Sequence, residues 1–374
     1  MAIYFDHNST TNIDSDALQE FARIIKQPLN NSAIHSYGRQ ANVIVNQAKS
    51  EITKKLNTSN HDVVFTSGGT EANNLIIQNF KDKTIFTSNL EHSSVLNTAK
   101  SFAKNIVLLK FDHNGLIDIN YFIDKISQIK EDNFLVSILL AHNEIGTITD
   151  IKKLADITHQ YGGFFHSDII QAVGKIYVDI ADLNVDFASI SGHKFGAPQG
   201  IGCVIKPKNF KLNPMICGGG QEKNQRSGTQ NIANIAALGK VFEKLDDKIQ
   251  NYQTKVRNLR DYLEQELEKS FGNNNIIIAQ DCQRLPNTTL LCTKNITSDA
   301  QIIFFDINGI YISRGSACSS GSSKDSLFLK DMLTDTKLAN YVVRISLGVN
   351  NSITEIDNFL QLYSKLIMPL TLNK

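Results

Sequence analysis

Side chains able to do chemistry recur in this 374-residue chain at one kind of place, directly after a short apolar, β-branched run. Asp62-Val63-Val64-Phe65-Thr66 is followed by Ser67-Gly68-Gly69-Thr70-Glu71 and then by the helical Ala72-Asn73-Asn74-Leu75-Ile76-Ile77. Glycines allow close backbone approach, a helix start offers free N–H groups and a hydroxyl adds one more. Gly69 and Thr70 therefore suit a phosphate or similar anion, although an ordinary strand-to-helix turn has the same composition. The run 84–88 precedes Glu91-His92-Ser93-Ser94, and 134–141 precedes His142-Asn143-Glu144-Ile145-Gly146. Asp168 closes the run 164–168 with Gln171 three residues on, and 186–190 leads into Ser191-Gly192-His193-Lys194. In an open parallel sheet, ligands bind beyond the carboxyl ends of the strands, and these polar runs occupy such ends.

Lysine, aspartate and histidine beside anion-holding turns match the needs of pyridoxal phosphate. The cofactor requires an amine for a covalent imine, a carboxylate to keep its ring nitrogen protonated and donors for its phosphate. A metal explains the same residues less well, because no His-x-x-x-His or clustered carboxylate pattern occurs. Further along, the serine- and glycine-rich stretch 311–323 predicts a mobile loop that exposes Cys318. That makes the thiol a candidate nucleophile, and an incidental surface cysteine fits the composition equally well. Arg344 interrupts the apolar run 342–347, where a charge needs a partner; a bidentate grip on a substrate carboxylate would supply one.

The elements that would position these residues read as α/β. Seven runs (62–66, 84–88, 106–111, 134–141, 164–168, 186–190 and 201–206) alternate with helical patterns such as 150–160, as in a mostly parallel seven-stranded sheet. A helical stretch follows from about 231 to 270. Beyond it, strands at 276–279, 288–293, 310–313 and 342–347 mix with helices at 298–308, 325–332 and 353–368. The expected division is a large α/β domain over 12–250 and a small α+β domain over 251–374 together with residues 1–11. With 41% apolar residues the chain can bury a substantial core, and its formal charge of +1 gives no footprint for nucleic acid, so a small-molecule substrate is expected. No apolar run nears the roughly 20 residues of a membrane helix, and the N-terminus has neither a signal nor a transit pattern, so a cytoplasmic protein is expected. The five cysteines are never spaced Cys-x-x-Cys, which disfavours a disulfide framework or a zinc ribbon.

Together these runs make the chain resemble the group I cysteine desulfurases, fold-type I pyridoxal-phosphate enzymes of the class V aminotransferase type. The similarity extends nearly end to end. It is carried by Phe5-Asp6-His7-Asn8-Ser9-Thr10-Thr11, Ile34-His35-Ser36-Tyr37-Gly38, the runs at 67–71, 91–92, 143–146 and 191–194, Gly218-Gly219-Gly220-Gln221-Glu222, Arg226-Ser227-Gly228-Thr229 and Gly315-Ser316-Ala317-Cys318. The resemblance implies that Lys194 bears the cofactor, His92 stacks on its ring and moves protons, and Asp168 and Gln171 meet the ring nitrogen and oxygen. It implies that Thr70, Ser191 and His193 bind the phosphate, with Thr229 reaching across from the other subunit of a homodimer. Asn143 and Arg344, with Asn8 nearby, would hold the substrate carboxylate. Cys318 would take sulfur from L-cysteine as a persulfide, leave L-alanine and pass the sulfur to an acceptor for iron–sulfur cluster assembly or tRNA thiolation. Ser9, Asn31, His142 and Arg314 stand where the family commonly has alanine, proline, asparagine and serine, and none of these changes removes a catalytic group. An aminotransferase or a selenocysteine lyase would share the scaffold; Cys318 in its loop speaks against the former.

Overall fold

Apolar β-branched runs flanked by helices build the seven-stranded sheet that the sequence predicts. The computed structural model describes residues 2–130, 132–272, 274–314, 327–333 and 335–371. After a short β1 (Ile3–Tyr4) come β2 (His61–Thr66), β3 (Thr84–Ser88), β4 (Asn105–Leu109), β5 (Leu135–Ser137), β6 (Phe164–Asp168), β7 (Phe187–Ser191) and β8 (Gly202–Pro207). Their spatial order is β2-β8-β7-β6-β5-β3-β4. β4, β3, β5, β6 and β7 run parallel, whereas β8 is antiparallel to both β7 and β2.

Side-chain alternation divides the sheet between two apolar layers. Val64, Ile85, Leu135, Phe187 and Val204 pack on one side with Leu75 and Ile76 of helix α3 (Gly69–Asn79), which follows α1 (Ser15–Ile24) and α2 (Ser36–Lys55) in the chain. Their neighbours Val63, Phe65, Phe86, Val136 and Ile205 join the larger core on the other side. Burial on both faces is why these strands read as unbroken apolar runs.

One strand is shorter than its sequence run. Of 134–141, only Leu135–Ser137 forms β5. The backbone N–H groups of Ile138 and Leu140 still reach β6 carbonyls, at 3.1 and 3.0 Å. On the opposite edge, the Leu139 N–H donates to Glu91 Oε1 at 2.8 Å instead of to β3. The Glu91 carboxyl group has replaced the neighbouring strand there, and the residues at the cavity rim leave the ladder.

The helical stretch expected at 231–270 is present as Ile232–Glu243, Leu245–Asn251 and Arg257–Phe271, with a π-helical turn at Tyr252–Val256. Two further sheets follow it. β9 (Asn275–Ile277), β10 (Thr288–Thr293) and β12 (Val342–Ser346) form an antiparallel three-stranded sheet, and β11 (Ile310–Tyr311) pairs in parallel with β1. A second core holds Ile3 and Phe5 together with Val256, Leu263, Leu291, Phe305, Val343, Ile345 and Phe359. Leu290, Cys292 and Val342, on the opposite face of the same strands, pack instead into the first core. Arg344 alternates with Val343 and Ile345 and so faces away from the second core. No helix among the described residues is long and apolar enough to cross a membrane.

Candidate functional site

The carboxyl ends of the central strands open into a cavity of about 790 Å³. Its lining includes Asn8, Gly69, Thr70, His92, Asn143, Asp168, Gln171, Ser191, His193, Lys194 and Arg344. The structure thus gathers eleven of the residues singled out from sequence into one hollow. Thr229 is not among them; it lines a separate recess with Phe65, Gly200 and Arg226. Cys318 lies outside the described residues.

Each wall follows from local backbone chemistry. β2 ends in the glycine turn that starts α3, and no side chain caps that helix, so its first N–H groups are turned toward the cavity end without a built-in acceptor. A Cβ on Gly69 would come within 2.3 Å of Ile170 Cδ1 and 3.1 Å of Ser191 Cβ, so a side chain here would displace the end of Ile170 and press on Ser191. Ser191 and His193 continue from β7. The His193 ring is bound through Nδ1 to Thr10 Oγ1 at 3.1 Å. Burial, assisted by the adjacent Lys194 charge, lowers its pKa to about 4, so the imidazole is neutral. The turn after β7 carries Lys194, whose Nζ donates to the carbonyls of Asn8 and Ser9 at 2.9 and 2.7 Å.

Asp168, at the end of β6, is fixed by two donors. Its Oδ1 accepts from the Ile170 N–H at 2.9 Å and its Oδ2 from Asn73 Nδ2 at 2.8 Å. The same Asn73 amide donates to Ser94 Oγ at 2.8 Å, and Ser94 Oγ lies 2.7 Å from His92 Nδ1. His92 Nδ1 also accepts from the Ser94 N–H at 3.1 Å, capping helix α4 (Ser93–Phe102). Because His92 Nδ1 accepts from the Ser94 N–H it carries no hydrogen, so the Ser94 hydroxyl donates to it and a neutral ring carries its proton on Nε2. A chain of hydrogen bonds therefore joins the carboxylate to the imidazole. Glu91, just before His92, is enclosed, and burial pushes its carboxyl well above the usual range.

Arg344 has the partner that its place in an apolar strand demands. Its Nη2 meets Asp6 Oδ1 at 2.5 Å and Ser9 Oγ at 2.9 Å, and its Nη1 donates to the Asn143 carbonyl at 3.0 Å. The charge is thus already paired within the protein, at the cavity wall. Ser9 supplies one of these contacts. Beneath the cavity floor, Lys175 Nζ donates to Asn8 Oδ1 and Gln171 Oε1 at 2.8 and 2.6 Å.

Asn73, Glu91, Ser94 and Lys175 have no role assigned from sequence, although each carries a signal. Asn73 is a polar residue on the apolar face of α3, Glu91 and Ser94 flank His92, and Lys175 stands four residues after Gln171.

Pyridoxal phosphate fits this donor set. An uncapped helix start, a serine and a neutral histidine suit the phosphate end, an amide-fixed carboxylate suits the ring nitrogen, and a lysine amine shares the same lining.

Comparison with known proteins agrees with the geometry. The family model for class-V aminotransferases matches residues 3–359. The cysteine desulfurase IscS of Dictyoglomus turgidum is 33% identical over 375 residues, spanning 98% of this chain and 94% of that protein. A cysteine desulfurase of Bradyrhizobium diazoefficiens is 35% identical over 367 residues, spanning 95% and 92%. The X-ray structure of a NifS-like protein from Rickettsia africae has a TM-score of 0.90 at 37% identity, covering 98% of this chain and 99% of that one.

Proposed function

The chain belongs to the class-V aminotransferase family and is a pyridoxal-phosphate-dependent cysteine desulfurase, and from that premise we propose which of its side chains do the work. The observation that carries the assignment is the single cavity that puts the Lys194 amine, the Asp168 carboxylate and the uncapped α3 turn on one lining. Gly69, Thr70, Ser191 and His193 would hold the phosphate, Asp168 the ring nitrogen and Gln171 the ring oxygen, with His92 beside the ring and Lys194 as the point of attachment. When bound, the cofactor supplies an electron sink for charge that develops at the substrate Cα.

Asn8, Asn143 and Arg344 receive the carboxylate of L-cysteine. Arg344 then exchanges part of its Asp6 and Ser9 contacts for the substrate, a charge-assisted replacement with little cost in geometry. The Lys194 amine would act as the base that takes the proton from the substrate Cα. Cys318 attacks the substrate sulfur as a thiolate, with His92 as the proton acceptor in reach. An S–S bond forms, the C–S bond breaks with its electron pair left on the carbon skeleton, and protonation releases L-alanine. The persulfide on Cys318 passes to an acceptor protein for iron–sulfur cluster assembly or tRNA thiolation.

The same reading makes the molecule a cytoplasmic homodimer in which Thr229 serves the partner's site. The exposed apolar side chains of Ile34 and Tyr37, inside a segment that carries the family resemblance, support a subunit contact there. It also divides the chain into 12–250 and 251–374 with 1–11, supported by the second core that Ile3 and Phe5 share with residues from 252 onward.

Alanine and sulfide release by Lys194→Ala and Cys318→Ala, beside wild type, test the assignment. Lys194→Ala is expected to abolish turnover. Cys318→Ala is expected to bind cofactor and L-cysteine and to yield no persulfide; wild-type sulfide release by that variant would refute the thiol's role.

A further inference from the structure

Lys175 belongs to none of the groups assigned above, yet it is the most enclosed cation near the cavity, with 1% of its surface exposed. We propose that Lys175 is a positioning residue that fixes which end of the Asn8 and Gln171 side-chain amides faces the cavity. The inference rests on reading that cavity as the cofactor site.

A side-chain amide has an acceptor end and a donor end of nearly equal size, and only its hydrogen-bond partners decide the orientation. A lysine amine beneath two amides brings N–H donors. Its Nζ donates to Asn8 Oδ1 at 2.8 Å and to Gln171 Oε1 at 2.6 Å. Turning either amide over would set N–H against N–H inside the protein, so both oxygens are committed to Lys175. Asn287 Nδ2, which donates to Asn8 Oδ1 at 3.0 Å, imposes the same orientation from another side.

The donor ends must then face the other way. Asn8 Nδ2 donates to the Asn143 carbonyl at 3.1 Å and to Thr288 Oγ1 at 2.9 Å. Gln171 Nε2 donates to the Asn8 carbonyl at 3.0 Å, the same oxygen that accepts from Lys194 Nζ at 2.9 Å. Gln171 thus offers the cavity N–H rather than C=O, which suits an anionic ring oxygen. Lys175 in this way reaches Lys194 through two intermediaries.

Local structure explains the placement. Backbone hydrogen bonds from Val173 to Ile169 and from Ile176 to Ala172 wind a helical turn after β6 that sets Gln171 and Lys175 four residues apart on one side. Gln253 Nε2 anchors the Lys175 carbonyl at 3.0 Å. Burial, assisted by the cationic Lys194 and Arg344, holds the Lys175 pKa well below the usual lysine value.

The experiment titrates cofactor-free wild type and Lys175→Met with pyridoxal phosphate by equilibrium dialysis, follows the visible absorption of the loaded proteins against pH, and uses thermal melting as the folding control. Lys175→Met is expected to bind at least about tenfold more weakly, the worth of one charge-assisted hydrogen bond misdirected. The pH midpoint of its visible absorption is expected to move by at least about half a unit, because the donor facing the ring oxygen is no longer fixed. Lys175→Gln, which retains N–H donors, is expected to recover part of both. A folded Lys175→Met with an unmoved midpoint overturns the inference whether or not affinity falls, since loosened packing alone would weaken binding without retuning the ring. If Lys175→Met does not fold, the midpoint of Lys175→Gln decides: displaced from wild type it supports the inference, unmoved it overturns it. Failure of wild type itself to take up the cofactor would overturn the reading of the cavity, and this inference with it.

Discussion

His166 gives the structure a pH dependence that can be calculated and isolated. It lies at the middle of β6, two residues before Asp168 and on the same face, fully enclosed. Its ring bridges β5 and β7, with Nδ1 at 2.8 Å from Ser137 Oγ and Nε2 at 2.9 Å from Ser189 Oγ. Burial lowers its pKa from 6.5 to about 3. In the unfolded chain the imidazole takes up a proton as pH falls through 6.5; in the folded protein it stays neutral until about pH 3. Stability is therefore complete above 6.5 and declines as pH falls toward 3, with a limiting slope of about 1.4 kcal/mol per unit. Between pH 7 and pH 5 this amounts to about 2 kcal/mol from His166 alone. Urea denaturation of the cofactor-free wild type and of His166→Asn at both pH values measures it, and leaving the cofactor out removes ligand linkage. The other histidines and the carboxylates titrate in both proteins and cancel. Wild type is expected to lose about 2 kcal/mol more than the variant on acidification. Equal losses would mean that His166 is hydrated or protonated in the folded state, and the account of a dry seam between β5, β6 and β7 would fail.

Two further perturbations test other parts of the framework. Glu264 and Arg284 form an enclosed bidentate pair at 2.9 and 2.7 Å, with Thr289 Oγ1 on the same carboxylate at 2.6 Å. Glu264→Gln leaves the guanidinium charge uncompensated, so the urea midpoint is expected to fall by the equivalent of about 3 kcal/mol, and a loss under about 1 kcal/mol would place the pair in solvent. A Cβ on Gly202 would lie 2.5 Å from the Ile190 carbonyl oxygen and 2.8 Å from Gly68 Cα. Gly202→Ala must push β8 away from the glycine turn that starts α3, at a cost of about 1–3 kcal/mol. Cofactor affinity is expected to fall in equilibrium dialysis while L-cysteine binding to the loaded fraction is retained.

The sheet was legible because burial on both faces leaves apolar runs of strand length, and β3 and β6 match theirs residue for residue. The cavity was legible for a related reason: polar residues after such runs have to lie at the carboxyl ends of parallel strands, so Asp168, Ser191 and Lys194 could be placed before any contact was known. What escaped were pairings across long stretches of chain. Arg344 visibly needed a partner, but nothing local points to Asp6, 338 residues away. The shortening of β5 depends on Glu91 replacing a strand, a side-chain event that hydropathy does not register. The enclosure of Lys175 likewise depends on Asn8 and Gln253, both distant in the chain.

Those long-range pairings converge on the first fourteen residues, which explains why a stretch outside the seven-stranded sheet carries so many cavity contacts. Ile3 and Phe5 are held in the second core, where β1 matches Ile3 with Ile310 and Tyr4 with Tyr311. Past them, the Asn8 and Ser9 carbonyls accept from Lys194, the Thr11 N–H donates to the His193 carbonyl, and the Asp14 N–H to the Gly196 carbonyl. Asp6 and Ser9 meanwhile hold Arg344, which comes from β12. The segment therefore sets the distance between the amine that would carry the cofactor and the guanidinium that would receive the substrate. Because strand side chains alternate with a period of two, a one-residue slip of β1 along β11 would expose Phe5 and withdraw both carbonyls from Lys194 together. Burial of Phe5 in the second core thus secures the register on which the Lys194 contacts depend.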